Sequence, residues 1–220
     1  IVNDGRVAAR IQPVAAAEQI NEMRDALSKA SQPLMILGGG GWTTEACSNI
    51  AKFATDNCLP TAVSFRRQDL IDNYSDVYVG DLSTGVDPAL VQRVKDSDFL
   101  LVVGARLGEM TTKGYTTISA PIPDQHLIHV YADSSESGKV YQPNISIPSG
   151  MASFSLLASQ SDPVDSSQWR GWADSARKDY LATLLPTDLG GDLDLAFVVN
   201  HLQEMLGQNT IITVDAGNFS

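Results

Sequence analysis

Four glycines follow a short apolar run in Pro33-Leu-Met-Ile-Leu-Gly-Gly-Gly-Gly-Trp42, and Thr43 then opens a helical pattern. The order is strand, side-chain-free turn, helix start. Glycine lets the backbone take positive φ and approach a ligand closely. A helix start offers free N–H groups and the positive end of a dipole, which suits a phosphate. The alternative use of Gly38, Gly39 and Gly40 is tight packing of helix against strand.

Two further groups have the right chemistry. Gly104-Ala-Arg106 follows the apolar run Phe99–Val103, and Arg106 offers a planar fork for phosphate or carboxylate, or else a surface ion pair. Asp133 follows the run His126–Tyr131 and can accept from a ribose or an adenine amine, or simply cap a helix. The dinucleotide fingerprint itself fits poorly. Gly38-x-Gly40-x-x-Thr43 lacks the third glycine, and Ser64-Phe65-Arg66-Arg67 stands where an acid would meet the ribose of NAD. A redox NAD enzyme is therefore disfavoured. His126 and His129 differ by three and fall on opposite faces of a strand. No His/Cys/carboxylate set has metal-ligand spacing, and no nucleophile elbow or Walker loop is present.

These residues need elements to position them. Val14, Ala17, Ile20, Met23 and Leu27 recur at helical spacing, predicting a helix over 14–30. Strands are predicted at 34–37, 61–65, 77–79, 99–103, 126–131 and 145–147. Helices are predicted at 44–57, 88–96 and 151–159, with a short one from Asp133 to about Tyr141 on an Asp133–Glu136 capping box. Alternating strands and helices predict an α/β, doubly wound, six-stranded parallel sheet, Rossmann-like, in the order 3-2-1-4-5-6. The order reverses between the first and fourth strands, so the Gly38–Gly41 and Gly104–Arg106 turns are expected to face each other across one crevice.

Fifteen basic against 26 acidic residues give a net charge of −11, which argues against nucleic acid and against an anionic membrane surface. No apolar run approaches the roughly 20 residues of a membrane helix. Cys47 and Cys58 lie about 16 Å apart along the predicted helix, too far for a disulfide, which suits a reducing cytoplasm. The opening Ile1-Val-Asn-Asp-Gly-Arg6 has neither Met nor a signal core and reads as a cut from a longer chain. We divide the chain into a linker (1–12), a central Rossmann-like domain (13–160), a linker with a helix (161–192) and the start of a further domain (193–220). That last part is expected to hold a helix marked by Leu195, Val198, Val199, Leu202, Met205 and Leu206 and stopped by Gly207, then a strand from Thr210 and a Gly-containing turn.

With the pieces placed, the chain resembles the central domain of thiamine-diphosphate-dependent enzymes of the acetolactate synthase and decarboxylase family. The matching residues are Pro33–Gly40, Asp98-Phe-Leu-Leu-Val-Val-Gly-Ala-Arg106, His129-Val-Tyr-Ala-Asp133 and Glu136-Ser-Gly-Lys139. The tail Thr213-Val-Asp-Ala-Gly-Asn-Phe219 is similar to the first strand and turn of the family's diphosphate-binding domain. The resemblance implies an enzyme acting on 2-keto acids with thiamine diphosphate and Mg2+, as a homo-dimer or tetramer. The activating glutamate and the metal-holding segment would belong to pyrimidine- and diphosphate-binding domains outside this chain, so the chain alone is expected to be inactive. It implies FAD or ADP along Gly38, Gly39, Gly40, Ser64, Phe65, Arg106 and Asp133, and diphosphate near Gly217, Asn218 and Phe219. It implies no catalytic or metal-ligating residue here. Two competing expectations are a stand-alone nucleotide-binding module, of electron-transfer flavoprotein or sirtuin-like architecture, and a purely structural domain.

Overall fold

The computed structural model describes residues 11–186, 194–207 and 209–213. The chain divides into two compact units, residues 1–180 and 181–220. In the first, α1 (Ala17–Leu27) precedes β1 (Pro33–Leu37), followed by α2 (Thr44–Asp56) and β2 (Thr61–Ser64). A 3-10 turn at Gln68–Leu70, absent from the sequence expectations, leads to β3 (Tyr78–Leu82) and α3 (Pro88–Asp96). Then come β4 (Phe99–Val103), β5 (His126–Tyr131), β6 (Ile145–Pro148), α4 (Met151–Gln160) and α5 (Arg170–Thr183).

The sheet runs β3-β2-β1-β4-β5-β6, every pairing parallel, as expected from the alternation of strands and helices. β1 pairs with β4 in full register from Pro33–Phe99 to Leu37–Val103, so the two glycine turns emerge side by side. Both strands are buried along their whole length, which is why they read as unbroken apolar runs.

Side chains alternate between two cores. Met35, Leu37, Leu101 and Val103 face α1, α2 and α4 through Ile20, Met23, Ile50, Phe53 and Phe154. Leu34, Ile36, Leu100 and Val102 face α3 through Leu90 and Val94. Each such side chain taken from water contributes about 1.5–3 kcal/mol. Local chemistry sets the helix starts. Thr43 Oγ1 accepts from the Ala46 N–H at 3.1 Å, and Asp87 Oδ1 accepts from the Ala89 N–H at 2.7 Å ahead of Pro88.

The stretch after α4 is anchored to the sheet at the strand starts. Trp169 is fully buried, and its indole N–H donates to the carbonyls of Asn57 (3.1 Å) and Cys58 (3.2 Å). Trp172 donates to Pro33 O at 2.9 Å, and Arg177 donates to Tyr78 O at 2.8 Å and Asn73 O at 3.0 Å. Arg93 of α3 stacks on Trp172 and pairs with Asp179 at 2.7 Å.

Two expectations fail. Residues 133–141 form turns, not a helix. Asp133 does accept from the Ser135 N–H, but Glu136 reaches Arg106 and Lys139 instead of closing the capping box, and Gly138 at φ 81° breaks the run. In the second unit, α6 (Leu195–Met205) forms on an Asp194 cap, but residues 209–213 are not a strand. Ile211 and Ile212 there are exposed, with no neighbouring strand to pair with among the described residues. The remaining residues of the expected strand and turn lie outside the described ones.

Candidate functional site

The strand order reverses between β1 and β4, and the two glycine turns meet at the ends of these strands. Gly38 follows β1 and donates its N–H to Val103 O at 3.0 Å; Gly104 follows β4 and donates to Val130 O at 2.9 Å. The two turns touch backbone to backbone. A Cβ on Gly39 would stand 2.9 Å from the carbonyl carbon of Gly104, and one on Gly104 would stand 2.8 Å from Met151 Sδ. A Cβ on Gly38 would stand 2.8 Å from Ala105 Cβ and 3.0 Å from Ser64 Cβ. Gly38, Gly39 and Gly104 are thus glycines because the turns pack, with Ser64 as part of that packing. Gly40 differs: it is exposed, with nothing within 4 Å of an added Cβ.

The turn's peptide planes are held from outside. Trp42 Nε1 donates to Gly38 O at 2.7 Å, and Arg67 Nη1 donates to Gly39 O. A trans peptide sends its N–H opposite to its C=O. Trp42 and Arg67 therefore orient the N–H groups of Gly39 and Gly40 as well. Gly39 and Gly41 have φ of 65° and 83°, while Gly38 and Gly40 do not take positive φ. Such alternation gives successive N–H groups the form of an anion-binding concavity. Among the described residues, no backbone acceptor faces the N–H groups of Gly39, Gly40 or Gly41.

Phe65 follows β2 with the exposed Arg66 guanidinium 4.9 Å from its ring centroid. Arg106 and Asp133 form a separate group at the ends of β4 and β5. Arg106 Nε donates to Tyr131 Oη at 3.0 Å and lies 3.6 Å from Glu136, which also holds Lys139 at 2.9 Å. Asp133 caps its own turn through the Ser135 N–H at 2.9 Å, and hydrogen bonding from Ser135, first its hydroxyl and then its N–H, holds the carboxyl below the usual carboxylate range. Arg106 and Asp133 are thus at the crevice level but occupied with protein partners. Gly217, Asn218 and Phe219 lie outside the described residues.

Two features here escaped sequence reasoning. His129 is buried, and its Nε2 donates to Ala105 O at 2.8 Å, so it braces the turn carrying Arg106. Burial holds its pKa below 6.5, and the neutral Nε2–H form suits that bond. The second is the strap at residues 12–15. The Gly150 N–H donates to Pro13 O at 2.9 Å, and the Ala15 N–H donates to the buried Ser149 Oγ at 3.3 Å. Nothing local in the sequence marks either contact.

Among the described residues no group of three or more His, Cys, Asp or Glu can hold a metal, and no helix is long and apolar enough to cross a membrane. Cys47 and Cys58 are free.

A family model described as "Thiamine pyrophosphate enzyme, central domain" matches residues 20–156. The chain is 22% identical over 90% of its length to acetolactate synthase isozyme 2 large subunit of Escherichia coli, covering 35% of that protein. It is 24% identical over 91% of its length to acetolactate synthase large subunit of Corynebacterium glutamicum, covering 32% of it. Over 57% of its length it is 25% identical to a trihydroxycyclohexane-dione hydrolase of Clostridium perfringens, covering 20% of that protein. The chain spans about a third of the length of these two acetolactate synthases. The chain belongs to the thiamine pyrophosphate enzyme family, whose central domain it carries.

Proposed function

We propose that this chain is the central part of an acetolactate synthase-like enzyme that acts on 2-keto acids with thiamine diphosphate and Mg2+, assembled as a homo-oligomer. The observation that carries the reading is the central-domain match over residues 20–156, laid on a sheet whose order and turns suit it. In this reading residues 13–160 are the central domain and residues 193–220 begin the diphosphate-binding one. When bound, thiamine diphosphate supplies the carbanion stabilisation for the reaction. This chain's crevice residues take no chemical step, and the chain alone does not turn over substrate. Its own site holds a nucleotide. The Gly39–Gly41 N–H groups receive a phosphate of ADP or FAD, Phe65 and Arg66 flank it, and Arg106 and Asp133 reach the remainder after exchanging their present partners.

The test is calorimetric titration of the purified chain with ADP and with FAD, beside an assay of pyruvate consumption with thiamine diphosphate and Mg2+. Saturable ADP or FAD binding without pyruvate consumption is expected. Turnover by the chain alone would overturn the assignment of chemistry to other segments. The stand-alone nucleotide module, of electron-transfer flavoprotein or sirtuin-like architecture, draws no support from the relatives named above.

A further inference from the structure

The polypeptide leading into α1 passes beside the Gly41 and Gly150 turns before it reaches the helix. Gln12 lies between two helix-entry turns. A Cβ on Gly150, ahead of α4, would stand 2.9 Å from Gln12 Cδ and 3.0 Å from Gln12 Cβ. A Cβ on Gly41, ahead of α2, would stand 3.9 Å from Gln12 Nε2. Gly150 is buried, and its lack of a side chain is what lets Gln12 lie there. Pro13 O and Ser149 Oγ then fasten the strap by accepting from Gly150 N–H and Ala15 N–H, at 2.9 and 3.3 Å. Met151 Sδ would stand 2.8 Å from a Cβ on Gly104, so the α4 entry, the Gly104 turn and the Gly38–Gly41 turn share one small space. Gln12 itself is exposed and is fixed by no hydrogen bond among the described residues.

We propose that residues 12–15 are a displaceable cover over the crevice, with the Gln12 carboxamide taking the space beside Gly41 that a nucleotide's phosphate needs. This rests on the nucleotide reading above and adds a means of regulating it. Strap and ligand compete, so whatever holds the strap down weakens nucleotide binding, and a bound nucleotide loosens the strap. A cover populated most of the time lowers apparent affinity by the fraction of molecules that are open.

The test uses the full 220-residue chain, ADP and the variant Gln12→Ala, whose side chain supports no core. Calorimetry is expected to show Gln12→Ala binding ADP about tenfold more tightly than the parent, because the carboxamide no longer competes for the space beside Gly41. Amide exchange by NMR is expected to show faster exchange of the Gly150 N–H in the parent once ADP is saturating, because its bond to Pro13 O is released. Equal ADP affinity in parent and variant overturns the cover while leaving the nucleotide reading intact. Slower exchange at Gly150 on ADP binding also overturns it. Failure of both proteins to bind ADP at millimolar concentration overturns the nucleotide reading and the cover together.

Discussion

Gly39 and Gly104 meet through their backbones, so neither can carry a side chain while β1 and β4 stay paired in their present register. Gly39→Ala puts a Cβ on a left-handed residue, at about 1–2 kcal/mol. It also drives that atom into the Gly104 carbonyl, for about 1–3 kcal/mol more. Gly40→Ala meets nothing and takes no positive φ, so it should change stability by less than about 1 kcal/mol, in either direction. Urea unfolding of the two variants reads the contrast. Equal loss in both would show that the turn is not packed as described.

Trp169 ties residues 161–180 to the sheet of the first unit. Trp169→Phe keeps most of the ring but leaves the Asn57 and Cys58 carbonyls without its N–H, for a loss of about 1–3 kcal/mol. Trp169→Ala adds a cavity and should lose about 3–5 kcal/mol. Denaturant midpoints with an unchanged slope check both values. If Trp169→Ala proves neutral, this segment is a tether and not part of the core.

Stability should fall on mild acidification because of His129. Its folded pKa lies below the 6.5 of the free side chain, so between those values the unfolded chain binds more protons. The contribution is complete above pH 6.5 and is lost as the pH falls toward the lowered value, at up to about 1.4 kcal/mol per pH unit. Asp133 and Asp165, lowered from 3.8, act only in more acid solution. Unfolding at pH 7.5, 6.5 and 5.5 (about one unit to each side of the free value) should show the fall in the parent and a smaller one in His129→Gln. Identical slopes would remove His129 as the cause.

Arg106 is the hinge of the nucleotide reading. Held by Tyr131 and Glu136 at the surface, it must let go before it can meet a phosphate. Glu136→Gln should tighten ADP binding by several-fold, and Arg106→Gln should weaken it by about tenfold, the value of one charge-assisted bond. Arg106→Gln should unfold within about 0.5 kcal/mol of the parent because Arg106 is exposed, whereas Glu136→Gln, at a side chain only 14% exposed that also holds Lys139, should lose about 1 kcal/mol. Unchanged ADP affinity in Arg106→Gln would exclude this arginine from the site.

How much of this was legible follows from where each partner lies along the chain. The run Phe99–Val103 and its neighbours announce buried strands by composition, and the alternation with helices implies the strand order. From that order alone the Gly38–Gly41 and Gly104 turns could be set side by side. The failed helix at 133–141 shows the limit of a local rule, because Glu136 answers to Arg106, thirty residues earlier. The linker assigned after Gln160 has the composition of one, yet Trp169 finds its acceptors more than 100 residues back. The Gln12 contact with Gly150 spans nearly the whole first unit and has no local signature.

Trp42 gives the crevice an optical reporter. It is one of three tryptophans, and its indole N–H is bound to the first carbonyl of the glycine turn. Trp169 and Trp172 emit from the opposite ends of the strands. An anion seated on the turn changes the field around one fluorophore of the three, so occupancy can be followed by emission without attaching a dye.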